Sequence, residues 1–340
     1  FHGRDWEVEQ VVSGLSQGSG RVVILGAGGM GKTSLARAVV RHPVLAAKYP
    51  LRVFVPCDSV TGTINLAALI GSYIGLTPKR DLTQPVVQFF ASRPAASLLV
   101  LDNFETPWEP KESRSSIEDF LSLLSAIPHL GLLLTMRGAE RPSRVQWTRP
   151  FMPPLTPLSN DAARQTFIDI ADDFHTTKDM DKILGFTDNM PLAVDLAAHL
   201  VANEGCETVL ARWETEKTAM LSEGLDRRSN LDVSIGVSLS SPRIQALPGA
   251  QDLLSLLSIL PDGLSQVELV QVSLTIPDLL ACKSALLAAS LAYMDDHNRL
   301  KELVPIREHV QRYYRVSPSV VRPLRAHFSL LLEVYSSLGY

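Results

Sequence analysis

The stretch GAGGMGKT, residues 26–33, fits the pattern G-x-x-x-x-G-K-[ST], and the rest of the chain is read outward from it. Phosphate oxygens ask for several converging N–H donors, and glycine lets the backbone bend that tightly without a Cβ clash. Gly26, Gly28, Gly29, Met30 and Gly31 are the expected backbone cradle. Lys32 is expected to place its ammonium by the β- and γ-phosphates, and Thr33 to give its hydroxyl to Mg²⁺; Ser34 completes the expected nucleotide-binding set. A helix starting here adds its positive N-terminal end to the same anion. The loop lies between the apolar RVVIL (21–25) and the helical SLARAVV (34–40), where such a loop has to be.

Three further apolar runs follow: LRVFVPC (51–57), SLLVLD (97–102) and GLLLTMR (131–137). Periodic segments at 33–41, 63–75 and 116–127 read as helices between them. Strands without polar alternation are buried on both faces, which predicts a parallel sheet covered by helices, an α/β layer. The proline-rich TRPFMPPLTPLSN (148–160) reads as a linker or domain edge, with Ser159, Asn160 and Asp161 as caps for the next helix.

Asp102 ends an apolar strand, where a carboxylate can hold Mg²⁺ directly or through water. Asn103 follows it, and an amide has no useful basicity near neutral pH. Glu105, two residues on, is the candidate to substitute for that base. Arg137 ends the fourth run, on the side of a parallel sheet that lines the ligand crevice, so its guanidinium is a candidate γ-phosphate contact. Lys32, Asp102 and Arg137 are thus the candidate catalytic residues, and Thr33 with Asp102 the candidate metal ligands.

Beyond the prolines the pattern is helical to about residue 220, and the polar SEGLDRRSN (222–230) marks a second expected boundary. Two short apolar runs flanking DDHN (295–298) predict a hairpin after helices, the order of a winged helix-turn-helix module. Residues 250–298 hold Lys283 as their one Lys or Arg against several acids, so DNA binding is not expected of it. The final HFSLLLEVYSSLGY could open a helical array.

At 340 residues, with 46% apolar and 20% charged residues, the chain predicts a globular protein of two or three domains. Its net charge of −4 provides no global basic field for nucleic acid or anionic membrane. Cys57, Cys206 and Cys282 are far apart, form no CxxC pair, and suit a reducing, cytoplasmic setting as small buried side chains. The apolar stretch 279–294 contains Lys283 and is too short to cross a membrane. Phe1 in place of an initiating Met suggests a segment taken from a longer chain.

Seven pieces in order (FHGRDWEVEQ, the phosphate loop, LLVLDNFETPWEP, LLLTMRG, VQWTRPFMPPLTPLS, NMPLAVDLAA and LVPIREHV) resemble the NB-ARC class of STAND NTPases. That class is the switch module of NLR immune receptors and of the apoptosome scaffold, and the likeness is to the fungal NLR-like kind. The resemblance implies a P-loop domain over 1–152, a helical domain over 153–224, a winged-helix domain over 225–325, and the start of a C-terminal repeat array over 326–340. It places Phe1 and Arg4 near an adenine and makes Arg137 a γ-phosphate sensor. Asn189-Met190-Pro191-Leu192 resembles the family's Gly-Leu-Pro-Leu motif, so Pro191 is the residue implied to pack beside the base. His309 would touch the β-phosphate of ADP, although Glu308-His309-Val310 lacks the aspartate that usually follows.

The function expected is a switch that binds ADP or ATP with Mg²⁺, hydrolyses slowly, closes on ADP and self-associates with ATP. Effector and sensor domains would lie outside this segment. A small-molecule P-loop kinase and an ATP-dependent transcription regulator are the alternatives.

Overall fold

The computed structural model describes residues 2–172, 177–216, 221–222, 231–295 and 297–337. The chain divides into two compact units, Phe1–Ala163 and Arg164–Tyr340.

The first unit runs α1 (Asp5–Ser16), β1 (Arg21–Gly26), α2 (Lys32–Arg41), α3 (Pro43–Lys48), β2 (Leu51–Pro56), α4 (Thr63–Tyr73), α5 (Thr83–Ala91), β3 (Ser97–Asp102), α6 (Glu105–Trp108), α7 (Lys111–Ser125) and β4 (Leu130–Arg137). All neighbouring strands pair in parallel, in the order β1-β4-β3-β2. Parallel pairing forces each connection to cross a face of the sheet, and the crossing helices cover both faces. On one side Leu99, Leu101, Leu132 and Leu134 pack with Leu66, Ile70, Phe90, Phe120 and Leu124. On the other lie α1, α2 and α3, whose Leu15, Leu35, Val39 and Leu45 are fully buried.

One sequence expectation needs correction and a second is extended. β2 is not buried on both faces: it is the sheet edge, Val53 and Val55 point inward, and Arg52 is exposed with its guanidinium on the Ala46 and Tyr49 carbonyls. The proline-rich passage is more than a linker. Its backbone runs along the open edge of β1, with Thr148 N–H donating to Arg21 O (2.9 Å) and Leu155 N–H to Leu25 O (2.8 Å). Proline lacks an N–H, so a segment rich in it can take an edge position without offering a further one. The predicted cap holds, Ser159 Oγ accepting from Ala162 N–H at 3.3 Å.

From the end of the first unit the chain continues with α8 (Asn160–Ala171), α9 (Thr177–Thr187), α10 (Pro191–Glu204), α11 (Cys206–Glu216), α12 (Leu231–Leu239), α13 (Pro242–Gln245) and α14 (Pro248–Ser258). Then come β5 (Leu264–Ser265), α15 (Gln266–Gln271), α16 (Leu279–Ala288), β6 (Tyr293–Met294), β7 (Arg299–Lys301), α17 (Val304–Tyr313) and α18 (Pro318–Ser337). β5, β7 and β6 form an antiparallel sheet in that order. The predicted hairpin is present, its turn closed by Asp295 Oδ1 accepting from the N–H groups of His297 (3.0 Å) and Arg299 (2.8 Å). α15 starts with a capping box between Ser265 and Glu268. α18 begins at Pro318, well before the predicted start of a repeat at 326. The expected boundary at 222–230 falls, but for Ser222, outside the described residues. Among those described, no helix is long and apolar enough to cross a membrane, and all three cysteines are buried and free.

Candidate nucleotide-binding site

Parallel pairing brings the carboxyl ends of the strands to one side, and the candidate residues of the first unit follow it there. Gly26 is in register with Arg137, and Gly26 and Gly138 exchange backbone hydrogen bonds at 3.1 and 3.3 Å. The loop between β1 and α2 turns through Gly29 (φ +79°) and Gly31 (φ +81°), a left-handed conformation that glycine adopts at little cost. Gly31 is the N-cap of α2, so the free N–H groups of that helix's first turn face the loop. Met30 is buried and Ser34 exposed.

Lys32 is only 7% exposed, and its Nζ donates to Gly26 O (2.9 Å) and Ala27 O (2.6 Å), both carbonyls of the loop it serves. Burial pushes its ammonium down to about 7, helped by the nearby Arg137 charge and opposed by Glu105 and Asp102. A lysine so desolvated gains from any anion that joins it.

Asp102 is fully buried and accepts from Thr33 Oγ1 (2.9 Å to Oδ1, 3.1 Å to Oδ2) and from Thr135 Oγ1. Asn103 adopts φ +56°, a left-handed geometry for which asparagine is well suited, and its N–H donates to Thr135 Oγ1 at 3.0 Å. Phe104 N–H then donates to Thr135 O at 2.9 Å. This turn starts α6 and sets Glu105, 5% exposed, against Arg137. Glu105 Oε1 lies 3.2 Å from Arg137 Nε, and Oε2 accepts from the Arg137 backbone N–H at 3.2 Å.

Arg4 is buried beside the loop. Its guanidinium donates to Met30 O (3.4 Å) and Thr156 O (2.6 Å) and pairs with Glu7 (2.7 Å), so it braces the phosphate loop against the β1 edge segment. Phe1 lies outside the described residues.

Pro191 and His309 belong to the second unit. Asp188 (φ +48°) and Asn189 (φ +52°) are both left-handed, which explains how asparagine stands where the resembling motif has glycine. Pro191 occupies the first turn of α10, where its missing N–H costs nothing. Asp188 Oδ2 accepts from Val304 N–H at 3.2 Å, joining this turn to the start of α17. His309 is 5% exposed, with Nδ1 2.5 Å from Asp232 Oδ1 and its ring 4.7 Å from that of Tyr313. A carboxylate from α12 therefore meets the histidine whose own motif has no following acid. Sequence reading missed Asp232 and Thr135. Thr135 was detectable as the one hydroxyl within an otherwise apolar strand, whereas Asp232 carries no local signal.

These features define the class: the first unit has a P-loop NTPase fold, with phosphate loop, strand-end carboxylate and arginine on one side of the sheet. Residues 1–152 match the family model described as Novel STAND NTPase 1. That match supports a STAND P-loop NTPase and does not single out the NB-ARC class of fungal NLR-like proteins. The fold is similar to that of a Walker-type ATPase of Pyrococcus abyssi, with 15% identity, TM-score 0.60, and 91% of this chain and 95% of that one covered. It is also similar to the ORC2 protein of Aeropyrum pernix, solved in ADPNP and ADP complexes, at 16% identity, TM-score 0.52, and 97% and 96% coverage. The ORC1 protein of the same organism, solved with DNA, is similar at 14% identity, TM-score 0.50, and 95% and 94% coverage. At these identities the likeness is one of fold. No curated protein matches the chain.

Proposed function

We propose that the chain is a nucleotide-dependent switch that binds ADP or ATP with Mg²⁺ and hydrolyses ATP slowly. The observation that carries this reading is the meeting of Thr33 and Asp102 at 2.9 Å beside a desolvated Lys32. A hydroxyl and a carboxylate are hard oxygen donors of the kind Mg²⁺ takes, so Thr33 and Asp102 fit the ion, whose charge would offset that of the phosphates. Lys32 and the loop N–H groups would hold the phosphates, and Arg137 would read the γ-phosphate.

The proposed division is a P-loop domain over 1–152, a helical domain over 153–224 and a winged helix over 225–325. Support for the last comes from the order α14-β5-α15-α16-β6-β7 and the β5-β7-β6 sheet. His309 would report ADP through the β-phosphate, and the ATP state would release it and promote self-association. Hydrolysis without a free base is expected at roughly 10⁻⁴ to 10⁻² per second. DNA is not the proposed partner: α15 and α16 expose Val267, Val270 and Leu280, and Lys283 is bonded to Gln266. The fold's likeness to a DNA-bound ORC1 makes a gel shift on random DNA the check on that exclusion.

The test is to denature the purified protein and identify the released nucleotide by chromatography. Near-stoichiometric ADP, less of it in His309→Ala, supports the switch. An empty site with turnover above about 1 per second on adding ATP and Mg²⁺ replaces it with a working ATPase.

A further inference from the structure

A cleft of about 310 Å³ lies on the first unit, between α1 and the segment that runs along the β1 edge. Its floor is the amino-terminal half of β1, the opposite end of that strand from the phosphate loop. α1 sits close on this floor at Gly14, where an added Cβ would stand 3.0 Å from Val22 Cγ2. One wall is the stripe of α1 that carries Trp6, Gln10 and Gln17. The other carries Trp147, Arg149 and Phe151. Trp6 is 57% exposed and Phe151 44%, so two large rings at this cleft stand largely in solvent.

Arg21, Arg141 and Arg149 line the cleft, and no aspartate or glutamate does. Arg21 donates to Ser19 Oγ (3.1 Å) and Ser125 O, and Arg141 to Met152 O (3.4 Å), all neutral oxygens. Among the described residues no carboxylate pairs with any of the three, although the chain as a whole has a net charge of −4. The acids close by are placed elsewhere. Glu7 pairs with Arg4, Glu9 faces His42 at 3.7 Å, and Glu140 lines a neighbouring cleft beside α7. Burial pulls Arg21 and Arg141 below the ordinary arginine value with no acid acting against it, a cost that an arriving anion would relieve.

The arrangement of the arginines also selects the kind of anion. Single-stranded nucleic acid binds by stacking its bases on free aromatic faces. Here the Arg141 and Arg149 guanidiniums lie 4.3 and 5.0 Å from the centre of the Phe151 ring, so that ring is already occupied. A guanidinium laid on a ring still presents its N–H fork at the edge, the geometry that a carboxylate matches. The α1 stripe from Trp6 to Gln17 is about 16 Å long. Roughly five residues of extended chain would cover it. Gln10 and Gln17 offer amide donors and acceptors to the backbone of such a chain. We propose that this cleft docks an extended acidic peptide segment of a partner protein, its carboxylates on Arg141 and Arg149 and its apolar side chains against Trp6 and Trp147. The inference is independent of the nucleotide site.

The test is fluorescence anisotropy with a dye-labelled peptide of about ten residues that alternates glutamate with proline, a sequence that holds itself extended. Native protein should bind it with a Kd below roughly 0.5 mM, and the glutamine counterpart carrying the same dye at least about tenfold more weakly. Arg149→Glu and Arg141→Gln should each weaken binding by about tenfold or more, and Trp6→Ala by at least about threefold. Replacing Lys79 and Arg80, exposed cations between α4 and α5, by glutamate should leave the Kd within about twofold. A Kd above that limit, or equal losses in the Lys79 and Arg80 variant, overturns the proposal. So does tighter binding of oligothymidine to the same arginines, which would make the cleft a nucleic-acid groove. A mass in light scattering that rises with concentration and falls back in Arg149→Glu overturns it too, because a second copy would then fill the cleft. Should Arg141→Gln fail to fold, the exposed Arg149 decides alone.

Discussion

The hydroxyl of Thr33 and the carboxylate of Asp102 stand 2.9 Å apart and join the first turn of α2 to the end of β3. Both also belong to the proposed Mg²⁺ set, which gives the contact a specific consequence. Asp102→Asn keeps the size and one accepting oxygen for Thr33 and Thr135 but removes the charge that a divalent ion seeks. Nucleotide affinity in Mg²⁺ should fall by roughly tenfold or more, while affinity in EDTA changes little. Fluorescent-ADP titrations in the two buffers check this. Equal losses in both would make Asp102 a purely structural partner of Thr33 and Thr135.

Lys32 makes the site sensitive to pH. Burial and Arg137 hold its ammonium down near 7, and a bound phosphate removes most of that penalty, raising it again. Binding above pH 7 should therefore take up a proton, and affinity should weaken as pH rises from about 7 towards 10, by at most about tenfold per unit. Calorimetry at pH 8 in two buffers of different ionisation enthalpy should report an uptake approaching one proton. Lys32→Met should abolish it. The same shift predicts that Lys32 costs the free protein stability below pH 7. Its folded value lies below the unfolded one, so that cost shrinks as pH rises from about 7 to 10.

The strand-end positions of the phosphate loop, Asp102 and Arg137 were legible in sequence because the run of apolar residues marks each strand and the next polar residue marks the candidate site. β2 was misread for a related reason: V-F-V is apolar whichever face is covered, so an edge strand looks like a central one. The role of 148–155 was hidden because pairing at the β1 edge uses backbone N–H groups, which leave no pattern in side-chain type. Glu105 could be seen but not interpreted, since its pairing with Arg137 depends on the left-handed turn at Asn103. Asp232 and His309 are joined by tertiary packing, and no spacing rule connects α12 with α17.

The Asp232–His309 contact should stabilise the second unit. Burial by itself would raise the Asp232 carboxyl, but hydrogen bonding and charge from His309, with bonds from Tyr313 and Ser222, outweigh it and leave the group below its ordinary value. A carboxyl lowered by folding contributes stability above its unfolded value, about 4, and loses it as pH falls through the folded value. Asp232→Asn should cost about 1 to 3 kcal/mol at pH 7 and less at pH 3, read from urea unfolding of the second unit. If His309 also reports ADP, the variant should release bound ADP faster. Unchanged release with lowered stability would confine the pair to packing.

Glu302, between β7 and α17, presents the opposite case. It is 7% exposed, and neither carboxylate oxygen has a hydrogen-bond partner among the described residues. Burial drives its carboxyl well above the ordinary range, with only the Arg307 charge opposing. The folded state therefore binds a proton that the unfolded state releases above about pH 4, so the group lowers stability progressively as pH rises from there towards the folded value. Glu302→Met fills a similar volume without a charge to desolvate. It should raise stability at pH 7 by about 1 to 3 kcal/mol and flatten the loss between pH 5 and 8. Urea midpoints for both proteins across that range decide the matter. A destabilised Met variant would mean that the carboxyl group makes a contribution to the folded state that outweighs its desolvation.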